Sequence, residues 1–470
     1  MKKILLLTCM FCSLYEAKTP SIKSLNKEIN LLKKEINQLK TQRNVSIANE
    51  STIEIDPQND QQLAEKENVK DEKITLKDKL HMHGHIKVLA LHDMSEIGEK
   101  FNRDYSYAVQ LLYKDDPEAR YGHETRMHAK ESKIVFTYND TIRLIGKDVP
   151  VATYIDFDLY NGKEGNGLFT HSHQPRIRSG YIDVGNFRIG LAWTLFMDLE
   201  NFPQAIDFGN STGESLLRQP QIRYTHHYNN NWSFAASLEN SDSAYIKKDG
   251  TKTFSFTLGG EGKKYSNSSI PDIVVAMRYK NDKINTGLRG VITHARTYEL
   301  GKKLEKYGCG IGWSGGYTFS NKDRIFAHFN FGKGMGRYLH DAADSGFFLD
   351  EHDKKIYRHK VYGFVACYKH HWKSDLLSNF NFGYTKIKLH DHILDQLDPA
   401  AGADNNRAFK FFDHLVTMHA NLIWNPADNF EMGFEYLHIH KFKAKFTHLT
   451  KVPACNAYTN RVIASIKISF

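Results

Sequence analysis

Five arginines stand close together in the middle of this sequence: Arg176, Arg178, Arg188, Arg218 and Arg223. Acidic residues surround them. Asp156 and Asp158 precede them, and Asp198, Glu200, Asp207 and Glu214 fall between Arg188 and Arg218. A guanidinium pairs with a carboxylate through two parallel hydrogen bonds. Opposed rows of basic and acidic charge in a narrow, low-dielectric space create a strong transverse field. A row of arginine along a pore selects anions. These residues would therefore bind and orient dipolar solutes rather than transform them. Arg218 is as well suited to pinning the neighbouring acidic segment as to touching solute. No Ser-His-Asp order, Walker loop or paired cysteine motif accompanies them, and no acid pair is set apart, so the chain does not read as an enzyme.

The other chemistry-bearing residues are set aside. Among the 24 histidines, His81, His83 and His85 alternate along one stretch, as do His438 and His440. Two residues along a strand span about 7 Å, wide for one shared ion. We expect no metal site and no cofactor, with histidine serving loops and girdles. The five cysteines form no even framework, since Cys9 and Cys12 lie in the leader. Lysine and arginine are spread along the chain rather than gathered in a stripe, so no nucleic-acid partner is expected.

Strands must position these residues. From Val462 to the terminal Phe470 the apolar positions are 462, 464, 466, 468 and 470, a period of two. A strand greasy on one face and mostly polar on the other suits either a transmembrane barrel or the edge of a soluble sandwich. Phe187, Ile189, Leu191, Trp193 and Leu195 oppose Arg188, Gly190, Ala192 and Thr194. Ile311, Trp313, Tyr317 and Phe319 oppose glycine, serine and threonine, and His414 to Trp424 oppose Thr417, His419 and Asn421. By the same parity Arg188 and Arg223 face inward, and Arg176 and Arg178 share a face opposite Ile177 and Tyr181.

Strand-like runs fall near 83–93, 123–138, 151–160, 176–184, 187–196, 218–228, 232–241, 271–279, 284–298, 307–319, 324–333, 358–371, 378–389, 411–424, 430–442 and 456–470. Short, turn-like breaks alternate with long polar ones. That rhythm belongs to a barrel with turns on one side and loops on the other. Sixteen strands in one sheet must close to lose their edges, and such a barrel leaves an aqueous channel. The fold class is therefore an all-β, 16-stranded antiparallel transmembrane β-barrel over 81–470, with an N-terminal helical coiled coil. A mean hydropathy of −0.52 excludes a helical membrane protein of 470 residues but fits a barrel.

The first eighty residues differ. Residues 1–17 read as a secretory signal, with Lys2 and Lys3 before an apolar run and a poor cleavage site near Ala17. Acylation at Cys9 or Cys12 is the alternative, badly matched by the preceding residues. In 18–43, Ile22, Ile29 and Ile36 recur every seven residues, and Leu25, Leu32 and Leu39 follow each by three. Glu28 and Glu35 at g face Lys33 and Lys40 at e, favouring a parallel coiled coil. Ile at a with Leu at d leans toward two strands, and three heptads are marginal alone. Residues 44–80 lose periodicity and read as a flexible linker.

The most distinctive segment is the inward-folded loop expected at 197–219, too long for a hairpin and carrying its own Leu199, Phe202, Ile206 and Phe208. Its 197–209 stretch (MDLENFPQAIDFG), with 218–224 (RQPQIRY) and, more weakly, 425–436 (NPADNFEMGFEY), resembles the DcaP-type trimeric outer-membrane porins. The Ile/Leu coiled coil matches that family's layout. The resemblance implies a sixteen-strand homotrimer in the bacterial outer membrane with its coiled coil in the periplasm. It implies passage of small organic anions, dicarboxylates being typical, and it carries Arg218 and Arg223 over as channel residues. Outer-membrane lipid, lipopolysaccharide and small anionic solutes are then the expected partners. Two other functions compete. A barrel serving adhesion or loop display would be plugged, and a phosphate-selective porin would show a basic ladder without the acidic partners Asp156, Asp158, Asp198, Glu200 and Asp207.

Overall fold

The computed structural model describes residues 79–95, 104, 108, 111, 123–161, 170–241, 245–247, 268, 270–298, 300–343, 346–350, 352–388, 412–443 and 456–470. The expected signal, coiled coil and most of the linker lie outside the described residues. Alternating, β-branched and aromatic runs build the strands: β1 Leu80–Asp93, β2 in two pieces Glu124–His128 and Lys133–Leu144, β3 Lys147–Asn161, β4 Gln174–Val184, β5 Phe187–Trp193 and β6 Arg218–His227. They continue as β7 Trp232–Glu239, β8 Asp272–Lys280, β9 Ile284–Thr297, β10 Leu304–Thr318 and β11 Arg324–Lys333. The last five are β12 Lys360–His371, β13 Leu376–Lys388, β14 Phe412–Ala427, β15 Phe430–Lys443 and β16 Ala457–Ser469.

Each strand pairs antiparallel with the next, and β1 pairs with β16 from His85↔Ser469 to Asp93↔Arg461. The seam is finished by Gly84 and Phe470, which exchange backbone hydrogen bonds of 2.9 and 3.0 Å. Closure leaves no edge, and a bilayer offers no substitute partner for one. β1 meets both pieces of β2, the first at Leu89↔His128 and the second at His85↔Lys133, so the break at 129–132 is an irregularity within one strand. The second and third strands run farther than expected. They meet at the two-residue turn Ile145-Gly146, whose φ values of 49° and 76° suit a type I′ hairpin.

The face assignment holds through most of the wall. Ile189, Ile311, Met418, Ile466 and Phe470 face outward and are exposed, while Ser314, Thr417, His419 and Asn421 are buried inside. Near the loop-side rim His414 and His440 stack on Phe442 at 3.9 and 4.0 Å, as part of an outward aromatic girdle. Two assignments are corrected. Leu195, grouped with the outer face of β5, lies beyond the end of that strand and is buried in the lumenal core. Tyr181 does not share the outer face with Ile177. A bulge at Arg178 shifts the register between Asp156↔Ser179 and Phe157↔Ile177, and this carries Tyr181 inward, where it stacks on Tyr154 at 5.1 Å.

The lumen also departs from an open channel. Its long-loop half holds an apolar core. Met335, Tyr338 and Leu339, from the connection between β11 and β12, are fully buried beside Phe196. Two short 3-10 turns, Gly336–Tyr338 and His340–Ala342, shape this connection. A methyl group on Gly310 or Gly332 would overlap the Met335 sulfur, so glycine in the wall makes room for it. Above it, Phe347–Asp350 pairs antiparallel with Lys355–Arg358 and parallel with Tyr245–Lys247.

These faces predict opposite responses to charge. Ile311→Lys, at the centre of the 15-residue β10, should cost roughly 2–4 kcal/mol in lipid. Ser233→Lys, on the lumen face of β7, should leave the urea midpoint within error of wild type, read by heat-modifiable mobility. Equal damage from both changes would overturn the face assignment.

Candidate functional site

The loop leaves the wall at Thr194 and rejoins it at Leu217, where the Thr194 N–H donates to the Leu217 carbonyl at 2.9 Å. It is therefore somewhat earlier than 197–219. Its path is set by wall side chains that bind its backbone. Arg289 donates to the Phe196 carbonyl at 3.0 Å, Arg278 to that of Met197 at 3.0 Å, and His328 to that of Asn201 at 2.6 Å. Glu435 accepts the N–H groups of Ile206 and Asp207 at 2.7 and 3.1 Å, and Lys87 donates to the Ile206 carbonyl. Thr417 and Asn330 hold Thr212 and Gly213. Gly213 has φ +92° and lies against the backbones of β12 and β13, so no other residue fits there. Loop side chains complete the anchoring. Ile206 joins Leu89, Leu91, Ile423 and Ile463, and Phe208 stacks on Tyr160 at 4.5 Å.

Asp198, Glu200 and Asp207 pair with groups other than the arginines of β4–β6, and this corrects the expectation. Asp198 accepts from Ser314 and, at 2.8 Å, from Asn201, on the β8–β10 side. Burial raises its carboxyl, but Arg278 and Arg289 outweigh that and hold it below the usual carboxylate range. Glu200 pairs with Lys280 at 2.8 Å. Asp207 accepts from the fully buried Arg461 at 2.9 Å, which also binds Asp93 in a bidentate pair at 2.6 and 3.0 Å. Arg126 donates to the same Asp93 at 2.6 Å. Removing one member of such a buried chain costs roughly 3–5 kcal/mol. Glu214 is buried between the loop and the β11–β12 connection, with no hydrogen bond to either carboxylate oxygen. Burial first, then Asp341, push its carboxyl well above the usual range.

The arginines divide into two groups. Arg176 binds Asp158 through two hydrogen bonds of 2.9 and 2.6 Å, and Arg178 lies 3.4 Å from the same carboxylate and over the Phe208 ring. Asp156 pairs with Lys133 at 2.7 Å. Arg218 stacks on Trp193 at 3.5 Å, and its Nε has no partner. Lower down, toward the short turns, Arg188 forks onto Asp183 at 2.8 Å and covers Tyr181. Its cross-strand neighbour Arg223 donates only to the Gln221 side chain and the Trp193 carbonyl. Arg223 shares a lumenal cavity of about 290 Å³ with Arg278, Lys280 and Glu200. Among the described residues, neither Arg223 nor Arg278 has a carboxylate partner. Arg278, Arg289, Arg324 and Arg461 were missed from sequence, although parity against Ile273, Val275 and Met277 would have placed Arg278 inward.

A closed sixteen-strand barrel with a greasy belt, a polar lumen and a loop folded across it defines the class: a porin-type outer-membrane channel. The chain belongs to the DcaP outer membrane protein family, whose model matches residues 10–454. Among solved structures, the outer membrane channel DcaP of Acinetobacter baumannii matches with TM-score 0.65 and 16% identity, over 83% of this chain and 97% of that one. An anion-selective porin from Comamonas acidovorans matches at TM-score 0.48 and 9% identity, over 83% and 99% of the two chains. Salmonella typhi OmpF in complex with daunomycin matches at 0.48 and 9%, over 83% and 97%. No curated protein matches the sequence.

The loop geometry yields a prediction. Glu435→Ala removes the acceptor of two loop amides at once. Barrel assembly should persist, while single-channel current becomes larger and noisier. Current indistinguishable from wild type would show that this loop does not set the pore.

Proposed function

We propose that this protein is a passive, anion-preferring diffusion channel of the outer membrane for small organic acids. The observation that carries the proposal is the pair Arg223 and Arg278. Both line the lumenal cavity beneath the loop, and neither guanidinium forms an ion pair with a carboxylate among the described residues, although Arg278 lies close enough to Asp198 to hold its carboxyl low. An arginine already paired with protein carboxylate offers little to solute. One that donates only to neutral acceptors keeps its net charge and can exchange those bonds for a carboxylate. Dicarboxylates suit two such groups in one cavity. Arg176, Arg178 and Arg188 contribute field around Asp156, Asp158 and Asp183, and Arg218, stacked on Trp193, adds to it. Lys280 balances Glu200, so the cavity carries excess positive charge.

The same proposal includes a secretory signal at 1–17, a periplasmic coiled coil through Ile22, Leu25, Ile29, Leu32, Ile36 and Leu39, and assembly as a homotrimer in a lipopolysaccharide-bearing membrane. Three short helices would add avidity to barrels that close by themselves. A second reading has one observation in its favour. The apolar core of Phe196, Met335, Tyr338 and Leu339 fills part of the lumen, as a barrel serving mainly to display loops would require.

Arg223→Gln with Arg278→Gln should lower the anion-to-cation permeability ratio several-fold, measured as reversal potential in a salt gradient. A dicarboxylate should lose its advantage over a neutral solute of equal size. An unchanged reversal potential would remove these two residues from the conduction path.

A further inference from the structure

Three lysines form a row on the outside of the barrel. Lys333 on β11 is the direct partner of Lys360 on β12, which is the direct partner of Lys388 on β13. Residues directly opposite in a sheet share a face, and adjacent strands lie about 4.8 Å apart, so the three ammonium groups span roughly 10 Å. The face is the outer one. Two residues toward the membrane the same strands place Phe331 opposite Tyr362, with ring centroids 5.0 Å apart. Two further residues on, Phe329 stands opposite Phe364, and both are exposed. The lysine row therefore caps an aromatic stretch of the greasy belt on the long-loop side.

A roof completes the site. The strand Lys355–Arg358 leans over the start of β10, and Arg358 is tied there by a hydrogen bond to the Tyr307 carbonyl at 3.1 Å. Between roof and wall lies a cavity of about 590 Å³, lined by the three lysines together with Lys354, Lys355 and Arg358. Glu305 is the one carboxylate in this lining, and it is paired with Lys303 at 2.8 Å. None of the five lining lysines named here has an ion-pair partner among the described residues. Like charges placed opposite one another on a sheet are destabilising. Their concentration at one rim calls for an anion supplied from outside the chain.

We infer that this roofed lysine row, Lys333, Lys360 and Lys388 with Lys354, Lys355 and Arg358, is a docking site for the phosphorylated headgroup of an outer-leaflet glycolipid. The inference rests on the reading of the chain as an outer-membrane barrel with a lipopolysaccharide-bearing surround. The occupant follows from placement and charge. The site opens sideways above lipid-facing rings, where acyl chains can lie on Phe329, Phe331 and Phe364 while the phosphates reach the lysines. A freely diffusing anion would gain nothing from those rings. Basic groups at a membrane surface each add about a factor of five to the binding of anionic lipid.

The test uses the full-length protein in nanodiscs, titrated with bisphosphorylated lipid A and with its dephosphorylated form. Lys333→Ala/Lys360→Ala/Lys388→Ala should weaken retention of the bisphosphorylated lipid on the order of tenfold to a hundredfold. The dephosphorylated lipid should bind both proteins alike and weakly. A control triple at the opposite rim, Lys283→Ala/Lys322→Ala/Lys373→Ala, should retain the lipid as wild type does. Inorganic phosphate in excess should fail to displace it. If the triple variant does not assemble, Lys360→Gln alone should show a smaller loss in the same direction. Equal retention by wild type and variant, equal binding of both lipids, or displacement by inorganic phosphate would each overturn the assignment. Conductance of the lysine variant should match wild type. Absence of conductance from wild type itself would fail the channel reading and leave the lipid result standing on its own.

Discussion

Closure of the sheet is the constraint on which everything else depends. In hydrocarbon an unpaired N–H or C=O has no alternative partner, so a strand edge cannot be left open. Here the seam between β1 and β16 satisfies the last edge, down to the exchange between Gly84 and the terminal Phe470. Once closed, the wall has one face that must be apolar and one that is free to carry chemistry. The outer face supplies Ile189, Ile311 and Ile466, and the inner face supplies Glu435, Arg461, His328 and Arg289.

A second consequence follows inside. A long loop entering the lumen brings backbone polar groups into a space with little water, and each needs a partner. The wall provides them one by one, from Arg278, Arg289 and His328 to Glu435 and Lys87. Most charged groups in the lumen are thus structural. They fix the loop, Arg278 included, while Arg223 binds only the Gln221 side chain and the Trp193 carbonyl of the wall. That division separates the positively charged cavity near the short turns from the buried chain Asp207–Arg461–Asp93–Arg126 on the other side.

Much of the fold was legible because period two is a strong signal when one face is lipid. The terminal run from Val462 to Phe470, the alternation around Ile311 and Trp313, and the rhythm of short and long breaks placed all sixteen strands. Parity also placed Arg188 and Arg223 correctly. It failed at Tyr181, because one extra residue at Arg178 flips every side chain beyond it. Partners across the lumen were not legible, since the pairing of Asp198 with Ser314 or of Asp207 with Arg461 depends on the path of the loop. The filling of the long-loop half left a trace that went unread. Ile273 to Ala276 and Val462 with Ile463 are apolar on both faces, as strands buried on both sides are, and Leu437 with Ile439 make the inner face of β15 apolar. Those stretches mark where the β11–β12 connection and the inner loop pack.

The account stands on the claim that a path for small anions remains past the loop despite that apolar core. Reconstitution of the wild-type protein in a planar bilayer with a salt gradient tests it most directly. The account predicts steady single-channel current with a reversal potential on the anion-selective side. A protein that is fully inserted and heat-modifiable yet passes no steady current, or reverses on the cation side, would contradict it.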